Sequence, residues 1–165
     1  MSQNPRAVVT GSVWMGSGIG SIESALTEIF QGANDEVMLT VYTIGSHADL
    51  VFDLLRASLC RGILVKLAIN QLGNQPPDVI DALLSLAREF SHFQLFDFSD
   101  NNGGSLHAKA VVADHKIALV GSSNMSKRGL FSNHELAVLL SGDAAIGAGK
   151  AMDLLLNSKA LRRVR

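Results

Sequence analysis

The sequence predicts an α/β fold in which a mixed β-sheet is flanked by helices on both faces. Short apolar runs rich in β-branched residues, such as residues 36–44, alternate with segments that carry apolar side chains at helical spacing, such as residues 22–31. Further along, residues 106–113 and 117–120 are apolar runs separated only by Asp114-His115-Lys116, which predicts an antiparallel hairpin.

Length and composition predict one compact domain that spans residues 1–165. Hydrophobic residues make up 47% of the chain, which is enough for a substantial core. Charged residues make up only 18%, against about 25% in a typical globular domain, and this favours burial in an oligomer. The net charge of −1 gives no global attraction to polyanions, so any binding of nucleic acid requires a local patch.

The residue types that hold metals and disulfides are sparse. Cys60 is the single cysteine, which excludes an internal disulfide, and we expect it to be a buried apolar side chain. Four histidines outside the hairpin strand lack metal-ligand spacing and are interpreted as ordinary surface or core residues; they are His47, His92, His115 and His134. We therefore expect no metal and no cofactor.

The first residues are polar, and no apolar run approaches 18 residues. We therefore expect no signal peptide, no transmembrane helix and a soluble cytoplasmic protein. Taken in order, the remaining elements follow from periodicity and from turn residues. A short β-like stretch is predicted at residues 7–15, helices at 22–31, 47–60, 79–90 and 144–156, and strands at 36–44, 63–69, 93–98, 106–113, 117–120 and 134–140.

Several boundaries depend on particular residues. Ser46 is a candidate N-cap of the second helix, Arg61-Gly62 ends that helix, and Pro76-Pro77 opens the third. Residues 159–165 are basic and are predicted to be a frayed terminus. The segment 16–20 is not a dinucleotide-binding GxGxxG motif, because Ser21 stands where the third glycine belongs; it is interpreted as a flexible entry to the first helix, whose free amides could still contact a phosphate.

The central hairpin carries the residues that could take part in a reaction. His107 and Lys109 are two positions apart, so on a strand they point to one face. The second strand of the hairpin delivers Ser122 and Asn124 to its end. A lysine and two hydrogen-bond donors can bind a phosphate, and a neutral imidazole can attack phosphorus without a metal. This inventory predicts phosphoryl transfer.

A carboxylate on the other imidazole nitrogen would fix the tautomer of His107, and the candidates are Asp114 and Glu135. Asp114 has the opposite strand parity to His107 and Lys109, so a structural role in the turn and a catalytic role both stay open. Asn124 completes Gly121-Ser-Ser-Asn, and Glu135 completes Asn133-His-Glu.

These three elements, in this order, resemble the phospholipase D superfamily. His107-x-Lys109-x-x-x-x-Asp114 matches its HxKxxxxD signature, and the other two segments resemble its GSxN and Asn-x-Glu elements. The resemblance implies a phospholipase D-like fold, a covalent phosphohistidine on His107, phosphate binding by Lys109 and Asn124 with help from Ser122, and a Glu135 that orients a catalytic histidine. It implies no metal.

Superfamily chemistry uses two histidines, and this chain carries one motif. The resemblance therefore implies a homodimer with a shared active site on a two-fold axis. Short single-motif members resemble nucleases more than lipid enzymes, so the expected substrate is nucleic acid. A phospholipase or phosphatidyl transferase is the alternative, and a non-catalytic nucleic-acid-binding or scaffold module is the second. Action inside a larger defence or repair assembly stays open.

Two further interpretations concern the hairpin and the basic residues near it. His107, Asp114 and Ser122 could form a hydrolase triad, but the chain has no GxSxG elbow and Lys109 would have no role. Three basic residues near the site could contact a nucleic-acid backbone or could form an ordinary solvated face; they are Lys116, Lys127 and Arg128.

Overall fold

The computed structural model describes residues 4–100 and 103–164 of the chain. Within those residues the strands are β1 Arg6–Thr10, β2 Gly20–Ser21, β3 Glu36–Val41, β4 Leu64–Asn70, β5 Phe93–Phe98, β6 Ala110–Ala113, β7 Ile117–Gly121, β8 Glu135–Ser141 and β9 Leu161–Arg163. The α-helices are α1 Ile22–Gly32, α2 Asp49–Cys60, α3 Pro77–Glu89, α4 Lys127–Phe131 and α5 Asp143–Leu156.

The strands form one mixed sheet in the order β2-β1-β8-β7-β6-β3-β4-β5-β9. Strands β3, β4 and β5 are parallel, as βα units require, whereas β3, β6, β7, β8 and β1 pair antiparallel in succession. This arrangement confirms the predicted mixed sheet and the predicted hairpin.

Helices cover both faces of the sheet. Adjacent strand residues point to opposite faces, so a strand of continuous apolar residues needs a helix on each face to bury them. Val37 and Leu39 of β3 lie in a core cluster with apolar residues of α1, α2 and α3. Met38, between them, packs with Ala145 and Met152 of α5 on the other face. No helix in the described part of the chain is long and apolar enough to cross a membrane.

The C-terminal prediction was wrong. Residues 161–163 form β9, which pairs antiparallel with β5 at the edge of the sheet. Arg162 also forms an ion pair with Asp97, at 3.2 Å. Three residues with two arginines give no periodic signal, and the partner strand lies far away in sequence, so local pattern could not reveal this pairing.

Two local predictions were also wrong. Ser46 does not cap α2, which begins at Asp49 after Ala48; the Ser46 hydroxyl donates instead to Asp78. The left-handed backbone of His47 (φ 62°) separates Ser46 from the helix. Cys60 is exposed rather than buried, because it ends α2 on the solvent side.

The strand predicted from residue 106 begins only at Ala110. The backbone N–H of Leu106 donates to the Asn70 side chain at 2.9 Å rather than to a neighbouring strand. The register with β3 begins at the Thr40–Ala110 pair. His107 and Lys109 therefore lie in an extended segment that leads into the sheet.

Candidate active site

One end of the sheet gathers five of the sequence-predicted site residues. Strands β1, β3, β4 and β7 end there, and β6 and β8 begin there, since Thr10 pairs with Glu135 and Thr40 with Ala110. The five residues either precede β6, follow β7 or begin β8; they are His107, Lys109, Ser122, Asn124 and Glu135.

His107 and Lys109 are in direct contact. His107 is an exposed residue, whereas Lys109 is only 8% exposed. The Lys109 ammonium donates to the His107 carbonyl oxygen at 2.8 Å, and Nζ lies 3.2 Å from Nδ1 and 3.4 Å from Nε2 of the imidazole. A cation is thus fixed beside an accessible imidazole, which is the arrangement needed to hold a phosphate against a nucleophile.

The environment of Lys109 lowers the pKa of its side chain. Burial lowers the pKa of the ammonium, and the negative charge of Glu135 raises it in part, so that the net pKa lies below the ordinary 10.5. Lys109 and Glu135 are therefore electrostatically coupled across the start of β8.

Glu135 is held within its own hairpin. Its carboxylate accepts hydrogen bonds from the Ser122 hydroxyl and, at 3.3 Å, from the Asn133 side-chain amide. The Ser122 Oγ in turn accepts the backbone N–H of Leu136 at 3.2 Å. Phosphate binding by Ser122 and orientation of a histidine by Glu135 stay predictions, because both groups are occupied with each other here.

Within the described part of the chain, the side-chain amide of Asn124 lacks a hydrogen bond that buried amides usually make. Its Oδ1 atom is buried and, among the described residues, has no hydrogen-bond partner. A buried acceptor without a donor costs free energy, so such an atom is often matched by a ligand. Oδ1 could not itself bond a phosphodiester oxygen, which carries no hydrogen; the predicted phosphate binding would use the Nδ2 amide, and the position of Asn124 after β7, at the end of the sheet that carries His107, is compatible with it.

Tyr42 belongs to this site, and sequence reasoning missed it. Its ring lies 4.7 Å from the imidazole of His107 between centroids, and 5.3 Å from Lys109 Nζ. Tyr42 directly follows β3, which pairs with β6, so the sheet register brings it to the site. It is the single tyrosine of the chain, and its position after a buried strand was the available signal.

Asp114 lies at the opposite end of the sheet, after the last residue of β6. The distance from His107 along extended chain is roughly 20 Å. Its carboxylate accepts the backbone N–H groups of Asn34, Asp35 and Glu36 at 2.8–2.9 Å. Burial raises the pKa of Asp114, but these backbone donors lower it by more, and the net pKa is below 3.8.

The three basic residues do not form one patch. Lys116 lies in the turn beside Asp114, at the end of the sheet away from His107, whereas Lys127 and Arg128 are exposed on α4 near the site. The Ser126 hydroxyl accepts the backbone N–H of Gly129 at 3.0 Å and so fixes the start of α4.

The remaining histidines occupy separate places. His134 packs on Trp14, His92 bonds the Leu59 carbonyl oxygen, and His115 lies between Glu36 and Asp153. In the described ranges, no three potential metal-ligating side chains converge. The start of α1 is capped by Ser21, whose hydroxyl accepts the Ser24 N–H at 3.0 Å.

The mixed sheet thus carries His107, Lys109, Ser122, Asn124 and Glu135 at one end. A family model described as "Cardiolipin synthase, PLD-like domain" matches residues 26–151. The chain therefore belongs to the PLD-like domain family, within the phospholipase D superfamily.

Solved structures share the fold over nearly the whole chain. Nuc of Salmonella typhimurium, a phospholipase D family member, matches with a TM-score of 0.76 at 22% identity, covering 98% of this chain and 99% of that one. NucT from Helicobacter pylori matches with a TM-score of 0.72 at 17% identity, covering 98% and 100%. These likenesses show the fold.

Curated relatives are longer. The DISARM protein DrmC of Bacillus paralicheniformis is 24% identical over 121 residues, which are 73% of this chain and 50% of that protein. Cardiolipin synthase A of Proteus mirabilis is 30% identical over 120 residues, which are 72% of this chain and 24% of that protein. The chain thus spans about half of the first relative and about a quarter of the second.

Proposed function

We propose that this chain is a metal-independent nuclease that hydrolyses nucleic-acid phosphodiester bonds through a phosphohistidine on His107. The observation that carries the proposal is the exposed imidazole held 3.2 Å from a buried lysine ammonium. The lysine would bind a non-bridging phosphate oxygen and keep phosphorus within reach of the imidazole. Phosphodiesterase chemistry is also what membership of the superfamily supports.

In the proposed reaction, an imidazole nitrogen of His107 forms a bond to phosphorus while the bond from phosphorus to the leaving oxygen breaks. A second group protonates the leaving oxygen. That group then takes a proton from water, the water oxygen bonds to phosphorus, and the P–N bond breaks to restore His107. Lys109 and Asn124 would hold the non-bridging oxygens throughout.

The second group is proposed to be His107 of another copy of the chain. Among the described residues, the groups around His107 are Lys109 and Tyr42, and neither is a second histidine. A homodimer with two-fold symmetry would bring both imidazoles to one phosphate.

Nucleic acid is preferred as the substrate for two reasons. The resemblance is to short, single-motif members, and the chain matches Nuc and NucT over 99% and 100% of their lengths. Lys127 and Arg128 are exposed near the site, where they could neutralise backbone phosphates. A cytoplasmic location is part of the same proposal, and action inside a larger defence or repair assembly stays open.

A lipid phosphodiester is the second candidate, and one observation favours it. A groove of about 280 Å³ lies between the segment after β1 and helix α4, and its walls include the large apolar side chains of Trp14, Met15 and Phe131. Such a groove could accept acyl chains, and several curated relatives are named cardiolipin synthase A.

The deciding experiment is cleavage of single- and double-stranded DNA and RNA in excess EDTA, with wild type beside His107→Ala. We expect cleavage that survives EDTA and falls by at least about 1,000-fold in the variant. Cleavage that EDTA abolishes would contradict the metal-independent mechanism. Turnover of phosphatidylglycerol without turnover of any nucleic acid would select the lipid candidate.

A further inference from the structure

Two adjoining grooves share helix α4 as a wall. The first, of about 280 Å³, lies between the segment after β1 and helix α4, and the second, of about 180 Å³, lies between α4 and the start of α2. Leu130 and Phe131 line both grooves. Leu130 also lines a small void of about 10 Å³ that Lys109 lines as well.

The grooves expose large apolar side chains to an unusual degree. Met15 is 83% exposed and Phe131 is 55% exposed, although the protein has a well-filled core. Trp14 lines the first groove and packs on His134, whose ring centroid lies 5.7 Å away. A contiguous exposed patch of this kind is typical of a binding surface.

Cations accompany these aromatic rings. Lys127 lines the second groove, and Arg128 follows it on α4, three residues before Phe131. Both are exposed, and among the described residues neither forms an ion pair with a carboxylate. The acidic residues of the groove walls are Glu23 in the first and Asp49 in the second.

We propose that these grooves bind a single-stranded polynucleotide, with unpaired bases on Trp14 and Phe131 and phosphates on Lys127 and Arg128. Stacking on a side-chain ring requires a free base face, which a duplex does not offer along its length. The inference rests on the proposed nuclease function and makes it specific: the enzyme acts on single strands. A lipid would use the two cations through its phosphate but would gain nothing from the aromatic rings that a plain apolar side chain could not supply, whereas a base can stack on them.

The chain provides its own probe, because Trp14 is its single tryptophan. The full-length His107→Ala protein is titrated with an oligothymidylate of about 12 nucleotides and with a duplex of equal length, while tryptophan fluorescence is recorded. Using this variant prevents cleavage during the titration. We expect the single strand to quench Trp14 saturably and the duplex to bind at least about tenfold more weakly.

Variants separate stacking from charge. Phe131→Leu keeps an apolar side chain but removes the ring, and we expect about 5- to 100-fold weaker binding of the oligothymidylate, with recovery in Phe131→Tyr. Lys127→Met should reduce the slope of log affinity against log salt by about one. Leu154→Ala is the control, because Leu154 is 77% exposed on α5, on the other face of the sheet.

Each alternative has its own signature. Equal affinity for duplex and single strand, or unchanged binding by a folded Phe131→Leu protein, would overturn the proposal. A response of Trp14 to phosphatidylglycerol vesicles but not to oligothymidylate would assign the grooves to lipid. Shielding of Trp14 from acrylamide that increases with protein concentration would assign them to a second copy.

The titration and the cleavage assay fail independently. Saturable quenching in a protein whose wild type cleaves no nucleic acid would leave the groove assignment standing and remove the nuclease function. Cleavage by the wild type, with no quenching of Trp14 and no effect of Phe131→Leu on binding, would leave the nuclease function standing and remove the groove assignment.

Discussion

Lys109 is the residue whose surroundings set the charge of the active site. Its pKa is lowered by burial and raised in part by Glu135, and the net result lies below the ordinary 10.5. If the protonated amine binds the substrate phosphate, activity is lost as pH rises through this lowered pKa. The alkaline limb of kcat/KM should therefore lie below pH 10.5.

Glu135→Gln removes the charge that raises the pKa of Lys109. We expect the alkaline limb of kcat/KM to move to still lower pH in this variant, whatever the loss in kcat, and to return in Glu135→Asp. The measurement is a pH profile of oligonucleotide cleavage. An alkaline limb that stays in place in Glu135→Gln would show that Lys109 is not the group that titrates.

Asp114 illustrates a motif residue whose geometry favours structure over catalysis. Its carboxylate ties the turn between β6 and β7 to three backbone N–H groups before β3. We expect Asp114→Asn to lower the free energy of unfolding by about 1 to 3 kcal/mol, since charged hydrogen bonds are lost. Urea denaturation measures this, and kcat at a temperature well below melting should change little.

The acid side of this prediction has a definite sign. Because the folded-state pKa of Asp114 is below 3.8, its contribution is complete above about pH 4 and is lost as pH falls through the folded-state value. The stability gap between wild type and Asp114→Asn should therefore close in acid. Asp81→Asn, on an exposed residue of α3, is the matched control. A kcat loss above about 100-fold with normal stability would make Asp114 catalytic instead.

At the scale of elements, the segment from β7 to α4 positions the site by close backbone packing. A Cβ on Gly129 would lie 2.3 Å from the Asn124 carbonyl oxygen and 2.8 Å from Ser123 Oγ. Gly129→Ala should therefore displace Asn124, reduce kcat/KM by about 100-fold, and lower stability by about 1 to 3 kcal/mol.

Gly147→Ala is the control for that substitution. It lies in α5 with nothing within 4 Å of a Cβ, so alanine should raise stability by about 0.5 to 1 kcal/mol and leave kcat/KM unchanged. The comparison uses urea denaturation and steady-state kinetics of both proteins. Equal kinetics in the two variants would show that the position of Asn124 does not matter.

The elements also show what sequence could predict. The mixed sheet and the hairpin were predictable, because their strands carry dense apolar runs and a polar turn. Tyr42, the pairing of β9 with β5 and the distance of Lys116 from His107 were not predictable from local pattern, because each depends on strand register between segments remote in sequence. The same holds for the grooves, which join the segment after β1 to α4 and to the start of α2.

At the scale of the whole molecule, we propose that two copies of His107 act on one phosphate. Each chain carries one such motif, and the groups around His107 in the described residues supply no second histidine. The two imidazoles would begin chemically alike, and bound substrate would distinguish nucleophile from acid. A dimer in which one chain lacks the His107 imidazole should then be inactive.

Mixed dimers test this claim most directly. Wild type and His107→Ala are co-expressed with different tags in equal amounts, and cleavage is measured per total protein, with Leu154→Ala in place of His107→Ala as the control. We expect activity near one quarter of wild type, because about one quarter of the dimers contain two intact His107 residues and only these are active. Activity near one half would mean that each chain acts alone, and would contradict the shared site.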